Sequence, residues 1–234
     1  MLISVHLPKT AGSSFKASLE QHFGSRLLPD YADLPINTPP FQRNKNTLIS
    51  GLENADYDFG ETECIHGHFM PAKYLLLDTA QTLTFVTWMR NPVERVISHY
   101  YFWQRQYWPE APSLHKRIVE EKWTLEKFCL SDEMRNLYQQ FLWSFPIYNF
   151  DFIGITEHYE EDFWYFRKTF LHENVTSFRE NINKNKKGNY AISKSLRTQI
   201  ESFHQADMEL YQSALKLRFQ RKQPMWDKLF GSLQ

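Results

Sequence analysis

The first fifteen residues constrain the fold more than any other stretch of this 234-residue chain. Residues 2–7 predict a short apolar strand, which Pro8 ends. A turn at 9–14 follows, rich in hydroxyl groups and carrying one lysine and one glycine. Apolar residues then recur at helical spacing, at Phe15, Leu19 and Phe23. This arrangement predicts a site for an anion such as phosphate, because free backbone N–H groups and the helix dipole both favour one there.

A second strand–turn–helix unit lies further along the chain. Residues 83–88 are apolar and β-branched, which is typical of a central strand. Asn91 is a suitable N-cap and Pro92 a suitable first residue for a helix that runs to about residue 104. Further strands are predicted at 63–68 and 150–156.

Strands that alternate with helices predict an α/β fold of three layers, with a central parallel sheet flanked by helices. The chain contains no internal repeat and no low-complexity linker, so residues 1–234 are predicted to form one domain. Ligands bind at the carboxyl ends of parallel strands. We therefore expect the turn at Lys9, the pair His66 and His68, and Arg90 to lie along one edge of the sheet.

Three other stretches are less regular or longer. Residues 25–62 contain several prolines and asparagines and predict a loop-rich segment, either a lid or substrate wall or a plain surface insertion. A helix is predicted at 132–143, and a long last helix is predicted to follow Ser193 as its cap. Asp207 falls on the apolar stripe of that helix, where we expect an ion pair or a helix-cap contact rather than catalysis.

Composition excludes several classes of protein. The chain has 27 Lys and Arg against 27 Asp and Glu, so its bulk charge gives no reason to expect a nucleic-acid or membrane-surface protein. Its two cysteines are far apart, which argues against a disulfide scaffold or a cysteine zinc site and fits a reducing compartment. No signal peptide or transmembrane segment is predicted. If the chain is complete, we expect it to be cytoplasmic.

Two basic positions indicate anion binding. Lys9 comes directly after the strand and the glycine follows it, which is the reverse of the Walker A order. The turn suits a single phosphate at the end of a nucleotide, although an ordinary turn with hydroxyl caps would look similar. Arg90 lies at a strand end and Ser98 two helical turns later, so both can face one phosphate. The alternatives are an Arg90–Glu94 ion pair and a solvated Ser98.

The segment His66-Gly67-His68 allows three interpretations. Imidazole, with an unperturbed pKa of about 6.5, is suited to removing a proton near neutral pH. Two histidines on one strand face could instead bind a metal, which would need a third ligand that no spacing identifies. A structural histidine pair is the third possibility.

At these motifs the chain resembles the sulfotransferases that use 3′-phosphoadenosine-5′-phosphosulfate (PAPS). The most similar members are carbohydrate enzymes of the heparan sulfate 2-O- and 6-O-sulfotransferase type and their bacterial relatives. The resemblance is carried, in order along residues 3 to about 219, by HLPKTAGSSF, RNPVERVIS, FDFIGITEHYEEDFWYF and DMELYQSAL. It implies a P-loop-kinase-like sulfotransferase fold.

The resemblance also implies roles for individual residues. Lys9 would bind the 5′-phosphate and the bridging oxygen, while Arg90 and Ser98 would hold the 3′-phosphate. His68 would be the general base, because the 2-O-sulfotransferase type carries its base in an identical segment, with His66 in support. Further donors to the nucleotide would come from Thr10, Ala11, Gly12, Ser13 and Ser14, and from the basic loop residues Lys186 and Lys187.

The resulting hypothesis is a PAPS-dependent O-sulfotransferase that needs no metal. Its acceptor would be a carbohydrate, a glycolipid or another hydroxyl-bearing molecule, and Trp103, Tyr107 and Trp108 could stack on a sugar or simply pack. Transfer of the sulfuryl group would depend on positioning and charge stabilisation, as in phosphoryl transfer. Two alternatives remain: a P-loop-type ATP-dependent kinase, and a non-catalytic glycan-binding protein on the same fold.

Overall fold

The computed structural model describes residues 1–31, 33, 36, 38–78, 82–107, 110–172 and 190–230, with side chains described as far as residue 223. Within these residues the chain forms a parallel sheet of five strands: β1 (Leu2–Val5), β2 (Leu27–Asp30), β3 (Cys64–Gly67), β4 (Thr84–Met89) and β5 (Phe152–Ile155). The strand order is β2-β3-β1-β4-β5, and every neighbouring pair is parallel. The sheet therefore has β1 at its centre.

The helices of the described residues lie in chain order between and after these strands. They are α1 (Gly12–Phe23), α2 (Pro40–Ala55), α3 (Pro92–Arg105), α4 (Ser113–Glu120), α5 (Leu125–Cys129), α6 (Leu137–Phe141), α7 (Tyr159–Phe166), α8 (Lys194–Phe203) and α9 (Gln205–Phe230). At α3 the predicted cap is confirmed: Asn91 Oδ1 accepts from the backbone N of Val93 at 3.0 Å and of Glu94 at 3.3 Å.

Side chains alternate between the two faces of the sheet, as the pleat requires. Ile3 and Val5 belong to one apolar cluster, which α6 and α9 complete with residues such as Phe141 and Tyr211. Leu2 belongs to a second cluster on the opposite face, which is completed from α1 and α7 by Phe15, Leu19, Phe163 and Phe166. The predicted three-layer α/β fold is thus confirmed. Its likeness to P-loop kinases stays a prediction.

The expectation of a loop-rich segment at 25–62 is wrong in part. The segment contains strand β2 and the 16-residue helix α2. Helix α2 tolerates its proline because Pro40 is the first helical residue, where no intrahelical N–H bond is lost. The face it buries is polar or small, with Arg43, Thr47 and Gly51. Its apolar residues are exposed instead, at Phe41, Leu48, Ile49 and Leu52, so the apolar pattern of this helix does not mark its buried face.

The predicted helix at 132–143 and the single long last helix are also corrected. The first is interrupted at Asn136, which has a left-handed φ of 50°, so that only α6 remains helical beyond it. The second is divided at His204 into α8 and α9. The expected helix-cap contact of Asp207 is confirmed, because its carboxylate accepts from the backbone N of Tyr138 at 3.1 Å and of Gln139 at 3.0 Å.

Two further properties concern the described residues. Cys64 and Cys129 are both buried and free. No helix in the described part of the chain is both long enough and apolar enough to cross a membrane.

Candidate functional site

Three segments with chemically active side chains leave the sheet at the same edge. Val5, the last residue of β1, is in register with Gly67 at the end of β3 and with Thr87 near the end of β4. The turn that carries Lys9 follows β1, His68 follows β3, and Arg90 follows β4. The chain also changes direction across the sheet at β1, whose neighbours are β3 on one side and β4 on the other. Such a switch point is where open α/β sheets bind ligands.

The turn after β1 has an unusual backbone. Lys9 and Ala11 have left-handed φ values of 67° and 69°, and alternation of this kind turns successive N–H groups toward one point, where an anion can bind. Helix α1 makes its first hydrogen bond from Phe15 N to Ala11 O at 3.1 Å. The N–H groups of Gly12 and Ser13 belong to the first turn of α1, before that bond, and therefore have no acceptor within the helix. They are suited to an anion at the helix start.

The residues that carry hydroxyl groups in this turn differ in how exposed they are to solvent. Thr10 is buried, and its Oγ1 donates to the carbonyl of Leu7 at 2.7 Å. This hydroxyl is engaged within the turn, whereas the backbone N–H of Thr10 is a separate donor, and the role of Thr10 toward a nucleotide stays a prediction. Ser14 is buried and Ser13 is half-buried. Ser13 is thus the more accessible of the two serine hydroxyls.

Gly12 is required by a contact that the sequence did not indicate. A Cβ built on Gly12 would lie 1.8 Å from Nε2 of His6 and 1.9 Å from its Cδ2. The backbone of the turn therefore packs directly against the His6 imidazole. His6 occurs in the HLPKTAGSSF segment, two residues after Ser4, so the alternation of the strand was the signal that could have placed it on that side of the sheet.

Lys9 is a half-buried cation in an environment that disfavours its charge. Its Nζ lies 3.6 Å from the centre of the Phe102 ring on α3, a cation–π contact. Burial lowers the pKa of Lys9 to about 8, and the positive charges of Arg90 and Arg105 add to this effect. Among the described residues, no carboxylate lies within ion-pair distance of Lys9. A bound anion would remove this destabilisation.

Arg90 also lacks a carboxylate partner in the described part of the chain. Glu94, the alternative partner considered for it, is buried and pairs with Arg197 of α8 at 3.0 Å. The Arg90 guanidinium lies 6.0 Å from the ring centre of Tyr190. Ser98 is half-buried on α3, two turns after Arg90. Lys186 and Lys187 lie outside the described residues, as does Trp108.

Three imidazoles and a phenol pack together beside this turn. The His6 ring lies 4.2 Å from that of His68 and 5.2 Å from that of His66, measured between ring centres. The Tyr31 hydroxyl is 3.1 Å from His6 Nδ1, and its ring meets His68 edge-on at 5.1 Å. Tyr31 and His6 are members of the cluster that sequence reasoning missed.

Hydrogen bonds determine the protonation of His68. Its Nδ1 is hydrogen-bonded to the backbone carbonyl of His6, which can only accept, so Nδ1 carries the proton and Nε2 presents a lone pair. Burial lowers the pKa of His68, which keeps the ring neutral near pH 7. A neutral imidazole with a free Nε2 is the form that can accept a proton.

His66 is placed differently from His68. It is buried on β3, where its Nδ1 is 2.8 Å from Ser4 Oγ, and burial lowers its pKa to about 3. It contacts His6 rather than the open edge, so its predicted supporting role would act through packing. In the described part of the chain, no group of three His, Cys, Asp or Glu side chains is arranged to hold a metal ion.

Comparison with known proteins shows no protein-family model that matches the chain and no significant match among curated proteins. Function must therefore be inferred from the sheet edge at which Lys9, His68 and Arg90 lie.

Proposed function

We propose that this protein is a PAPS-dependent O-sulfotransferase whose acceptor is a hydroxyl group, most simply one on a carbohydrate or a glycolipid. The observation that carries the proposal is the joint placement of an anion-binding turn with Lys9, of Arg90 and of an orientated neutral His68 at adjacent strand ends. Sulfuryl transfer to a hydroxyl needs these three parts: two anion contacts on the donor and one proton acceptor.

The donor fits the residues that are present. Lys9 and Arg90 are cations with no carboxylate partner among the described residues, and they follow neighbouring strands, as expected for a ligand with two separate phosphate groups. When bound, PAPS would supply the sulfuryl group. The nucleotide that remains after transfer would carry the negative charge. Lys9 and the N–H groups of Gly12 and Ser13 would hold the 5′ end, and Arg90 the 3′-phosphate. His68 Nε2 would accept the proton of the acceptor hydroxyl.

The proposal is tested by comparing nucleotides as stabilisers of the folded chain. At 100 times its Kd, adenosine 3′,5′-bisphosphate should stabilise the protein by about 2.7 kcal/mol. For a chain of this size that raises Tm by roughly 5–10 °C. ATP with magnesium should have a much smaller effect, and transfer of labelled sulfate from PAPS to a panel of sugars should follow. Stabilisation by ATP alone would favour the kinase alternative, and no response to either nucleotide would favour a non-catalytic protein.

The lowered pKa of Lys9 predicts that nucleotide binding depends on pH. The free protein loses the Lys9 proton above pH 8, because its pKa is lowered to about 8, whereas a bound phosphate favours the charged form. The affinity for adenosine 3′,5′-bisphosphate should thus be constant from pH 7 to 7.5. Above pH 8 it should fall by up to about tenfold per pH unit. Titration calorimetry between pH 7 and 9.5 measures this.

The matched variant is Lys9→Arg, whose guanidinium keeps its proton throughout that range. Its affinity for the bisphosphate should be independent of pH, even if its absolute value is lower. A fall of equal size in Lys9→Arg and in the unmodified protein would show that another group titrates.

A further inference from the structure

The backbone of Arg90 is held on both sides by one side chain. The N–H of Arg90 donates to the hydroxyl oxygen of Tyr138 at 3.0 Å, and the same hydroxyl donates to the Arg90 carbonyl at 2.7 Å. Tyr138 is fully buried and comes from α6, 48 residues further along the chain. A residue just beyond the end of β4 is therefore fixed by a distant element rather than by its own turn.

Tyr138 is itself rigidly placed. Its backbone N donates to Asp207 Oδ2 at 3.1 Å, so that a buried carboxylate from α9 caps the start of α6. Asn136 N, two residues earlier, donates to His204 Nδ1 at 3.2 Å. Two buried side chains at the α8–α9 junction therefore hold the segment that presents the Tyr138 hydroxyl.

A second contact restrains the neighbouring residue. The backbone N of Asn91 donates to Glu157 Oε1 at 2.9 Å, and Tyr211 of α9 donates to Glu157 Oε2 at 3.2 Å. Both restraints on this turn therefore depend on side chains of α9, because Asp207 holds Tyr138 and Tyr211 holds Glu157. The turn keeps its shape without using the Arg90 side chain, which stays available to a ligand.

The packing behind Tyr138 supports the same arrangement. Arg95 on the first turns of α3 is fully buried, and its guanidinium carbon lies 5.7 Å from the Tyr138 ring centre. Its three guanidinium nitrogens make no hydrogen bond to any residue that the structure describes. A buried cation of this kind is costly, and its contact with the ring stabilises it only while Tyr138 stays in place. The hydrogen bond to Asp207 and the contact with Arg95 therefore both disfavour movement of Tyr138.

We propose that the Tyr138 hydroxyl positions Arg90 and thereby sets the selectivity of the site for nucleotides that carry a 3′-phosphate. The proposal rests on the sulfotransferase function proposed above. The hydroxyl touches no ligand itself and acts only through the Arg90 backbone. Its removal should therefore affect the part of the nucleotide that Arg90 contacts and leave the part at the Lys9 turn unchanged.

The test is Tyr138→Phe, which keeps the buried ring and removes both hydrogen bonds. Calorimetry compares adenosine 3′,5′-bisphosphate with adenosine 5′-monophosphate, which lacks the 3′ group. The variant should bind the bisphosphate about tenfold more weakly, with unchanged affinity for the monophosphate. In an Arg90→Ala background, Tyr138→Phe should have no further effect on either nucleotide.

Tyr100→Phe is the matched control, because the Tyr100 hydroxyl on α3 donates to the carbonyl of Trp123 at 3.0 Å, away from the Arg90 turn. It should lower Tm without changing the ratio of the two affinities. If Tyr138→Phe does not fold, Glu157→Ala, at an exposed side chain, should weaken bisphosphate binding in the same selective way. Equal losses for both nucleotides, or a loss that persists without Arg90, would overturn the positioning role. An unmodified protein that does not distinguish the nucleotides would overturn the proposed function itself.

Discussion

Replacing His68 by alanine is expected to lower kcat by about 10²- to 10⁴-fold, the range typical of a positioned general base. The reason is the hydrogen bond of its Nδ1 to the His6 carbonyl, which leaves Nε2 as the proton acceptor. The affinity for adenosine 3′,5′-bisphosphate should stay within about twofold, because the contacts proposed for the nucleotide are those of Lys9 and Arg90. Sulfate transfer from labelled PAPS gives kcat, and calorimetry gives the affinity.

The control for this variant is His158→Ala, at an exposed histidine beyond β5. It should keep full turnover. Imidazole added to the buffer should restore part of the activity of His68→Ala, because it supplies the missing proton acceptor. If His68→Ala turns over at the rate of the unmodified protein with normal nucleotide binding, His68 is not the base.

The folded chain should lose stability steeply as the pH falls below about 6.5. Five buried or partly buried histidines are held neutral, since burial lowers their pKa values in the folded chain. The unfolded chain therefore binds protons first, and stability decreases between pH 6.5 and the lowered values, which are about 3 for His66 and about 4 for His204. The five are His6, His66, His68, His99 and His204.

The size of this effect follows from proton linkage. Each such histidine contributes at most about 1.4 kcal/mol of lost stability per pH unit. Asp33 and Asp207 act in the opposite sense, because burial raises their pKa values, to about 6 for Asp207. Where all five histidines and both carboxyl groups titrate together, the net loss is about 4 kcal/mol per pH unit. One pH unit at that slope would remove a substantial part of the 5–15 kcal/mol by which a typical domain is stable.

Urea unfolding followed by circular dichroism at pH 7.5, 6.5, 5.5 and 4.5 measures the slope. His99→Met should reduce the slope by the equivalent of about one proton, because His99 is buried and its Nδ1 has no hydrogen-bond partner among the described residues. His158→Ala should leave the slope unchanged. A free energy of unfolding that stays level from pH 7.5 to 4.5 would contradict the prediction.

Local patterns in the sequence were sufficient to predict the layers of the fold. Strand β4 is rich in apolar and β-branched residues. The caps Asn91 and Ser193 were predictable because both contacts span only a few residues. Helix α2 was missed because it buries Arg43 and Thr47 instead of an apolar stripe. Its apolar residue Phe41 is 81% exposed, the reverse of the pattern from which helices are predicted.

The candidate site also contains residues that the sequence could predict and residues that it could not. The shared location of Lys9, Arg90 and His68 was predictable because each lies in the segment that follows a strand, and parallel strands end at one edge. Strand alternation could have placed His6 on this side of the sheet, but its contacts with His66 and His68 could not be predicted, because they join segments that are distant in the chain. The same holds for the contact of Tyr138 with Arg90. Tyr138 reaches Arg90 across 48 residues, and no local pattern encodes that pairing.

The contact between Gly12 and His6 limits how the site can be redesigned. A Cβ at position 12 and an imidazole at position 6 would occupy the same space. Positions 6 and 12 must therefore be varied together. A larger residue at position 12 requires a smaller side chain at position 6, just beyond the end of β1. That smaller side chain would in turn remove the ring that packs between His66 and His68. A library that varies the turn alone would consequently contain mostly chains in which the residue at position 12 clashes with His6, whereas joint variation of both positions would avoid that clash and test whether the histidine cluster tolerates the loss of the His6 ring.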